Sequence, residues 1–268
     1  MKSEALIKNK FTHRISKGSR FNQIYIPKEF NSSFEVGDLV EIKLLEKKTS
    51  LYYSKNLEIL SNFKEKLVKD IFFILSEFEG IKQIFVVGSF LTNKIDYNDI
   101  DVLIISDKNL ENKIYNELTE NFNLKFHIIL IPVKRLDYLE RSCPLTRSML
   151  YYFVSNKDFN LPLDIEIDKK HIQFLLMMPE DLLKLNMGSN SRVFYDNLRR
   201  LISIEKFLEK KDIDPIKLDK EVSDLIGSDI FILIKNNEKL DEKILLKLKH
   251  VISLKLNIIR RLLKHQEL

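Results

Sequence analysis

Two aspartates and a Gly-Ser pair carry the chemistry that this sequence could perform. Gly88-Ser89 is followed, after nine residues, by Asp99-Ile100-Asp101. Alternate residues of a strand point to the same face, so Asp99 and Asp101 project together while Ile100 turns away. Two carboxylates side by side cannot both stay ionised cheaply without a cation. Their hard oxygen ligands suit Mg²⁺, which also takes ligands from substrate phosphates. Gly88 lets the backbone approach a phosphate with no side chain in the way. Ser89 can donate a hydrogen bond to a phosphate oxygen, and a helix start behind it offers free N–H groups. The chemistry expected of this set is metal-assisted phosphoryl or nucleotidyl transfer. In the nucleotidyl case, in-line attack at the α-phosphorus releases pyrophosphate. The bland alternative is a surface loop with two incidental acids in a strand.

The elements around these residues read clearly. Leu60, Phe63, Leu67, Ile71 and Ile74 recur at helical spacing within a helix expected over about 56–78. Gly80 stands where a C-cap would close it. Ile84-Phe85-Val86-Val87 is a continuous apolar run, as in a buried strand, and Gly88-Ser89 breaks it. A short helical segment and a loop then reach Asp96-Tyr97-Asn98. A second strand covers 99–105, a helix about 110–122, and a third strand Phe126-His127-Ile128-Ile129-Leu130-Ile131. The rest is expected to be mostly helical, with helices over 192–209, 216–236 and 240–264. Asp164, Glu166 and Asp168 interrupt it with a strand-like alternation. That row could lend a carboxylate to the site or be the solvated face of an edge strand.

An apolar strand, Gly-Ser, about ten residues and Asp-x-Asp within a second apolar strand resembles the DNA polymerase β-like nucleotidyltransferase superfamily, in particular its small prokaryotic members. The resemblance covers about residues 60–131. It implies a nucleotidyl group passed from a nucleoside triphosphate, ATP in the first instance, to an acceptor hydroxyl. It also implies two Mg²⁺ ions on Asp99 and Asp101, and a triphosphate on Gly88 and Ser89. The family usually carries a third carboxylate on the next strand, where this chain has His127. Histidine can ligate a metal or act as a base near neutral pH. Three readings stand open: His127 replaces the acid, another acid comes from elsewhere, or the site binds nucleotide without turnover. A strand histidine bonded only to a neighbour is the plain alternative.

The N-terminal segment differs in character. Residues 1–28 carry Lys2, Lys8, Lys10, Arg14, Lys17, Arg20 and Lys28 against one acid, Glu4. Gln23-Ile24-Tyr25-Ile26-Pro27 reads as a strand, Phe34-Glu35-Val36-Gly37-Asp38 as a turn, and 39–44 as a second strand. This Ile-Pro-Lys-Glu, then Val-Gly-Asp pattern resembles the AbrB/SpoVT-type swapped-hairpin domain over about residues 10–48. The resemblance implies a homodimer, and DNA contact through Arg14, Lys17 and Arg20. So few strands cannot bury a core alone, which is a physical reason for two chains to interleave. A module that only dimerises or docks fits the pattern equally well.

Composition sets the outer bounds. Of 268 residues, 44% are hydrophobic and 31% charged, which is globular composition. A net charge of +5 permits a polyanionic partner without demanding one. Cys143 is the only cysteine, so no internal disulfide or cysteine metal site can form, and a cytoplasmic protein is expected. No apolar run approaches the roughly 18 residues of a membrane span. The expected fold is α+β: a small β domain over 1–50, a central mixed sheet flanked by helices over 56–170, and a helical domain over 171–268. The C-terminal row Lys243, Lys247, Lys249, Lys255, Arg260, Arg261 and Lys264 reads either as an acceptor-holding surface or as the solvated face of an amphipathic helix. Tyr195, Arg199 and Arg200 lie on a helix whose direction the sequence leaves open. As an enzyme, the chain would act on a small molecule, an RNA or a protein. The competing class is a DNA-binding regulator with a nucleotide-sensing, inactive transferase domain.

Overall fold

A computed structural model of the chain describes residues 11–26, 34–43, 49–92, 99–184 and 190–265. Two compact units are present, Met1–Lys47 and Lys48–Leu268. In the first, β1 (Ser16–Lys17) pairs antiparallel with β2 (Asn22–Gln23), closed by the Gly18 N–H donating to the Phe21 carbonyl at 3.1 Å. The expected turn is present at Val36-Gly37, with Gly37 at a φ of 108°. The Asp38 N–H donates to the Glu35 carbonyl, and the Glu35 N–H donates back to the Asp38 carboxylate.

The two expected strands of this unit are not formed as read. Only Gln23 of 23–26 is in a strand, and residues 39–43 form none; Pro27 and Leu44 lie outside the described residues. Leu39, Val40 and Ile42 are instead exposed, as are Phe21 and Val36. An alternating segment with no strand beside it has nothing to satisfy its backbone groups, so apolar periodicity alone does not make it a strand.

The second unit is built on a mixed sheet. β3 (Tyr52–Tyr53), β4 (Ile81–Val87), β5 (Ile100–Ser106), β6 (Phe126–Ile131) and β7 (Phe153–Ser155) lie in the order β3-β7-β4-β5-β6. β5 and β6 are parallel; the other pairs are antiparallel. The short strands β3 and β7 escape sequence reading, because two or three residues show no period.

Both faces of the sheet are covered, which is why its strands read as unbroken apolar runs. α1 (Asn62–Leu75) and α2 (Glu111–Phe122) pack on one face against Ile84, Val86, Val102 and Ile104. α3 (Val133–Ser142) and α4 (Pro144–Met149) follow β6, and Phe85, Val87, Leu103, Ile105 and Phe153 form the core of the opposite face. Ser61 caps α1 by accepting from the Lys64 N–H. α1 ends at Ser76 rather than at Gly80, which sits at a φ of 96° in the turn into β4.

The remaining chain is a helical bundle with its own core: α5 (Lys169–Lys184), α6 (Arg192–Leu208), α7 (Pro215–Ile226), α8 (Ser228–Lys235) and α9 (Glu242–His265). The single helix expected over 216–236 is two, broken at Gly227 with a φ of 94°. The strand expected over 164–168 does not form. Asp168 caps α5 instead, accepting from the His171 N–H at 3.0 Å and from the Tyr138 hydroxyl. Among the described residues no helix is long and apolar enough to cross a membrane.

Ile104 lies at the centre of β5 and is fully buried. Ile104→Ala is expected to cost about 2–5 kcal/mol, through lost transfer energy and the cavity left behind. The check is the urea midpoint at unchanged slope.

Candidate active site

The site is a row across the ends of neighbouring strands. Val87 of β4 pairs with Asp101 of β5, and Asp101 pairs with His127 of β6. Because paired residues share a face, the carboxylate and the imidazole meet: His127 Nδ1 lies 2.9 Å from Asp101 Oδ1. Asp101 is partly buried and His127 is largely exposed. The His127 Nδ1–H donates to this carboxylate when that nitrogen carries the proton. The second ring nitrogen, Nε2, is thereby left on the far edge of the ring. Asp99, just before β5, is exposed.

Asp101 is held above the ordinary carboxylate range. Burial is the main cause, and the charge of Asp99 adds to it. The hydrogen bond and charge of His127, and the charge of Arg199, pull the other way. A carboxylate in this state gains from a nearby cation.

Gly88 follows β4 directly at a φ of 83°, where L side chains are strained. A Cβ at this position would run into Asp101 Oδ2. The glycine is therefore required twice, by its backbone and by the carboxylate packed over it. Ser89 opens a 3-10 turn, Ser89–Leu91, whose carbonyl at Ser89 accepts from the Thr92 N–H and hydroxyl. Lys64 of α1 donates its ammonium to the Thr92 carbonyl at 2.7 Å and lies 5.4 Å from the Phe90 ring centre. The turn bearing Ser89 is thus tied to the helix beneath it. The loop to Asp96-Tyr97-Asn98 lies outside the described residues.

Other predicted residues fall elsewhere. Asp168 is engaged at the start of α5. In the C-terminal row, Lys255 pairs with Glu205, Arg260 with Glu180, and Lys247 donates to the Ile226 carbonyl. These contacts serve the bundle. Arg200 is half-buried and turns to the Leu175 carbonyl. Arg14, Lys17 and Arg20 are exposed in the separate N-terminal unit, on or beside the β1–β2 hairpin.

The structure adds a cluster that spacing could not reveal. Asp219 of α7 accepts from the Tyr195 hydroxyl at 2.8 Å and pairs with Lys235 at 3.2 Å. Arg199 Nε lies 3.3 Å from the same carboxylate. The angle there is not that of a hydrogen bond, so the contact is ionic. Burial pushes the Tyr195 hydroxyl up to about 12. Arg192 and Arg199 lie over the Tyr195 ring at 4.6 and 5.4 Å. Among the described residues no group of three or more His, Cys, Asp or Glu side chains forms a metal cage.

A nucleotidyltransferase domain family matches residues 64–145, from the start of α1 into α4. The chain is similar in structure to a spectinomycin adenyltransferase of Enterococcus faecialis, solved with ATP and spectinomycin, at 12% identity and a TM-score of 0.44. That similarity covers 75% of this chain and 100% of the other. A comparison with curated proteins gave no significant match.

Gly88 and Gly227 both have positive φ, but open space surrounds a Cβ at Gly227. Both alanine variants carry the backbone strain, and only Gly88→Ala meets a carboxylate. Gly88→Ala is expected to lose about 1–3 kcal/mol more than Gly227→Ala, the typical cost of overpacking. Parallel thermal unfolding of the two variants reads the difference.

Proposed function

We propose that the chain transfers a nucleoside monophosphate from a nucleoside triphosphate, ATP in the first instance, to an acceptor hydroxyl. The observation that carries this reading is the placement of Gly88 against Asp101, beside Ser89 and Asp99, inside the region that matches a nucleotidyltransferase domain. The two aspartates are hard oxygen donors, and Asp101 is destabilised in its charged form by burial and by Asp99. That donor set fits Mg²⁺, with triphosphate oxygens completing the shell. Mg²⁺, when bound, neutralises the triphosphate and the charge that builds on the leaving pyrophosphate.

The residues then divide the work. Asp99 and Asp101 would hold the ion. Gly88 admits the phosphates close to the backbone, and Ser89 donates to a phosphate oxygen. His127, oriented through Nδ1 by Asp101, presents Nε2 to take the proton of the acceptor hydroxyl. The acceptor oxygen bonds to the α-phosphorus as the bond to the bridging oxygen breaks, and pyrophosphate leaves. Acceptor choice belongs to the helices and loops around this row.

We read the chain as three parts, 1–50, 56–170 and 171–268, in a reducing, cytoplasmic setting. A second reading is supported by the N-terminal unit. Its exposed Phe21, Val36, Leu39, Val40 and Ile42 are apolar surface that a second copy would cover, making a homodimer. Arg14, Lys17 and Arg20 are exposed near one hairpin and could bind DNA phosphates, in an AbrB-like manner. On this reading the chain is a DNA-binding regulator, and the transferase domain only senses nucleotide.

One experiment separates the two. Purified protein is titrated with ATP and Mg²⁺ while binding and pyrophosphate release are followed, beside Asp99→Ala/Asp101→Ala. The transferase reading expects Mg²⁺-dependent binding and at least a 100-fold loss of release in the variant, on the order of removing electrostatic stabilisation of a transition state. DNA affinity should survive the substitution. Nucleotide-dependent DNA affinity with no pyrophosphate from any acceptor would favour the regulator.

A further inference from the structure

We propose that Lys64 of α1 is a positioning residue for the triphosphate: it holds the exit of the turn over 88–92 and so keeps Ser89 where it can donate to a phosphate. This rests on the nucleotidyl-transfer reading above and deepens it.

Lys64 stands in an unexpected place for a cation. Ser61 caps α1, so Lys64 lies in the first turn of that helix. The positive end of the helix macrodipole is there, where an acid is favoured and a cation is not. Residues that break a local rule of this kind concentrate at functional or strained sites. Lys64 is also half-buried. Its ammonium donates to the Thr92 carbonyl at 2.7 Å and lies 5.4 Å from the ring centre of Phe90, which is fully buried. A cation over an aromatic face is held there by the ring quadrupole. Burial pulls the pKa of this ammonium below the usual lysine value, so the contact is made against a desolvation cost.

The contact matters because of what Thr92 does. Its N–H and its hydroxyl both donate to the Ser89 carbonyl, at 3.1 and 2.8 Å. The Leu91 N–H donates to the Gly88 carbonyl at 3.2 Å. Phe90 and Leu91 are buried, which pins the middle of the turn. The exit is Thr92, in extended backbone with a ψ of 172°. Thr92 is only half-buried, so hydrogen bonds hold it more than packing does. The line from Lys64 to the Thr92 carbonyl, and from Thr92 to the Ser89 carbonyl, ends on the residue that meets the phosphate.

The competing role is a direct contact between Lys64 and the nucleotide. Its ammonium is committed to a backbone carbonyl and a ring, which favours holding the turn over meeting the ligand. A donor fixed in place before the nucleotide arrives reduces the ordering cost of binding.

The test uses the full chain, Mg²⁺ and α,β-methylene-ATP, a non-transferable analogue whose affinity calorimetry reads. Lys64→Met keeps the apolar stem and removes the charge. It should weaken the analogue roughly tenfold, the lower end of what a charged hydrogen bond is worth, and Lys64→Arg should recover most of the loss. A double-mutant cycle with Ser89→Ala separates positioning from direct contact. With Ser89 already truncated, Lys64→Met should change the affinity less than about twofold, because the lysine acts through the serine. Full affinity in Lys64→Met would overturn the proposal and leave the transferase reading standing. The same tenfold loss in both backgrounds would also overturn it, in favour of direct contact. If Lys64→Met does not fold, Lys64→Gln, a neutral donor, takes its place in the cycle. No binding of the analogue to the unmodified chain would overturn the transferase reading itself, and this proposal with it.

Discussion

Asp101 is an acid on a buried sheet, and the site is built around that position. Its strand is apolar on both faces from Val102 to Ile105, so the carboxylate stands at the point where the core gives way to solvent. Burial raises the cost of its charge, and the neighbouring residues answer that cost. His127 approaches from one side because β5 and β6 run parallel in register. Gly88 leaves room on the other because it has no Cβ. Arg199 contributes charge from the bundle. A slip of one residue between β4 and β5 or between β5 and β6 would scatter this set across two faces.

The double cover of the sheet makes such a slip costly. Ile84, Val86, Val102 and Ile104 face α1 and α2, while Phe85, Val87, Leu103 and Ile105 build the core of the other face. Each strand therefore has an apolar demand on both sides, and register is fixed by packing as well as by hydrogen bonds. Rigid strands then position the aspartate, and short turns supply the glycine and serine, an arrangement that suits a preorganised electrostatic site.

The row of Gly88, Asp99, Asp101 and His127 was legible because its parts lie on or beside long, strongly apolar strands. Period and spacing bring Asp99 and Asp101 together behind Gly88-Ser89, while the place of His127 beside them follows from the family resemblance and is where the parallel register of β5 and β6 puts it. Short elements were not legible: β7 has three residues, yet it links the sheet to Tyr152 and Asp214. Asp164, Glu166 and Asp168 alternate like a strand, but Asp168 satisfies a helix start, a local bond that overrides the period. The contact of Arg199 with Asp219 joins two helices, and neither helix carries a local signal of the other. In the N-terminal unit, the alternation of Val40 and Ile42 with Glu41 and Lys43 did not yield a strand among the described residues, because strand formation depends on a partner that periodicity does not supply.

The most direct measurement is label transfer from ATP carrying ³²P at either the α or the γ position, with soluble cell extract as the source of acceptors. Label from the α position should become attached to an acceptor, and label from the γ position should leave as pyrophosphate. Transfer of the γ label, or no transfer of either, would contradict a nucleotidyl-transfer site at Asp99 and Asp101.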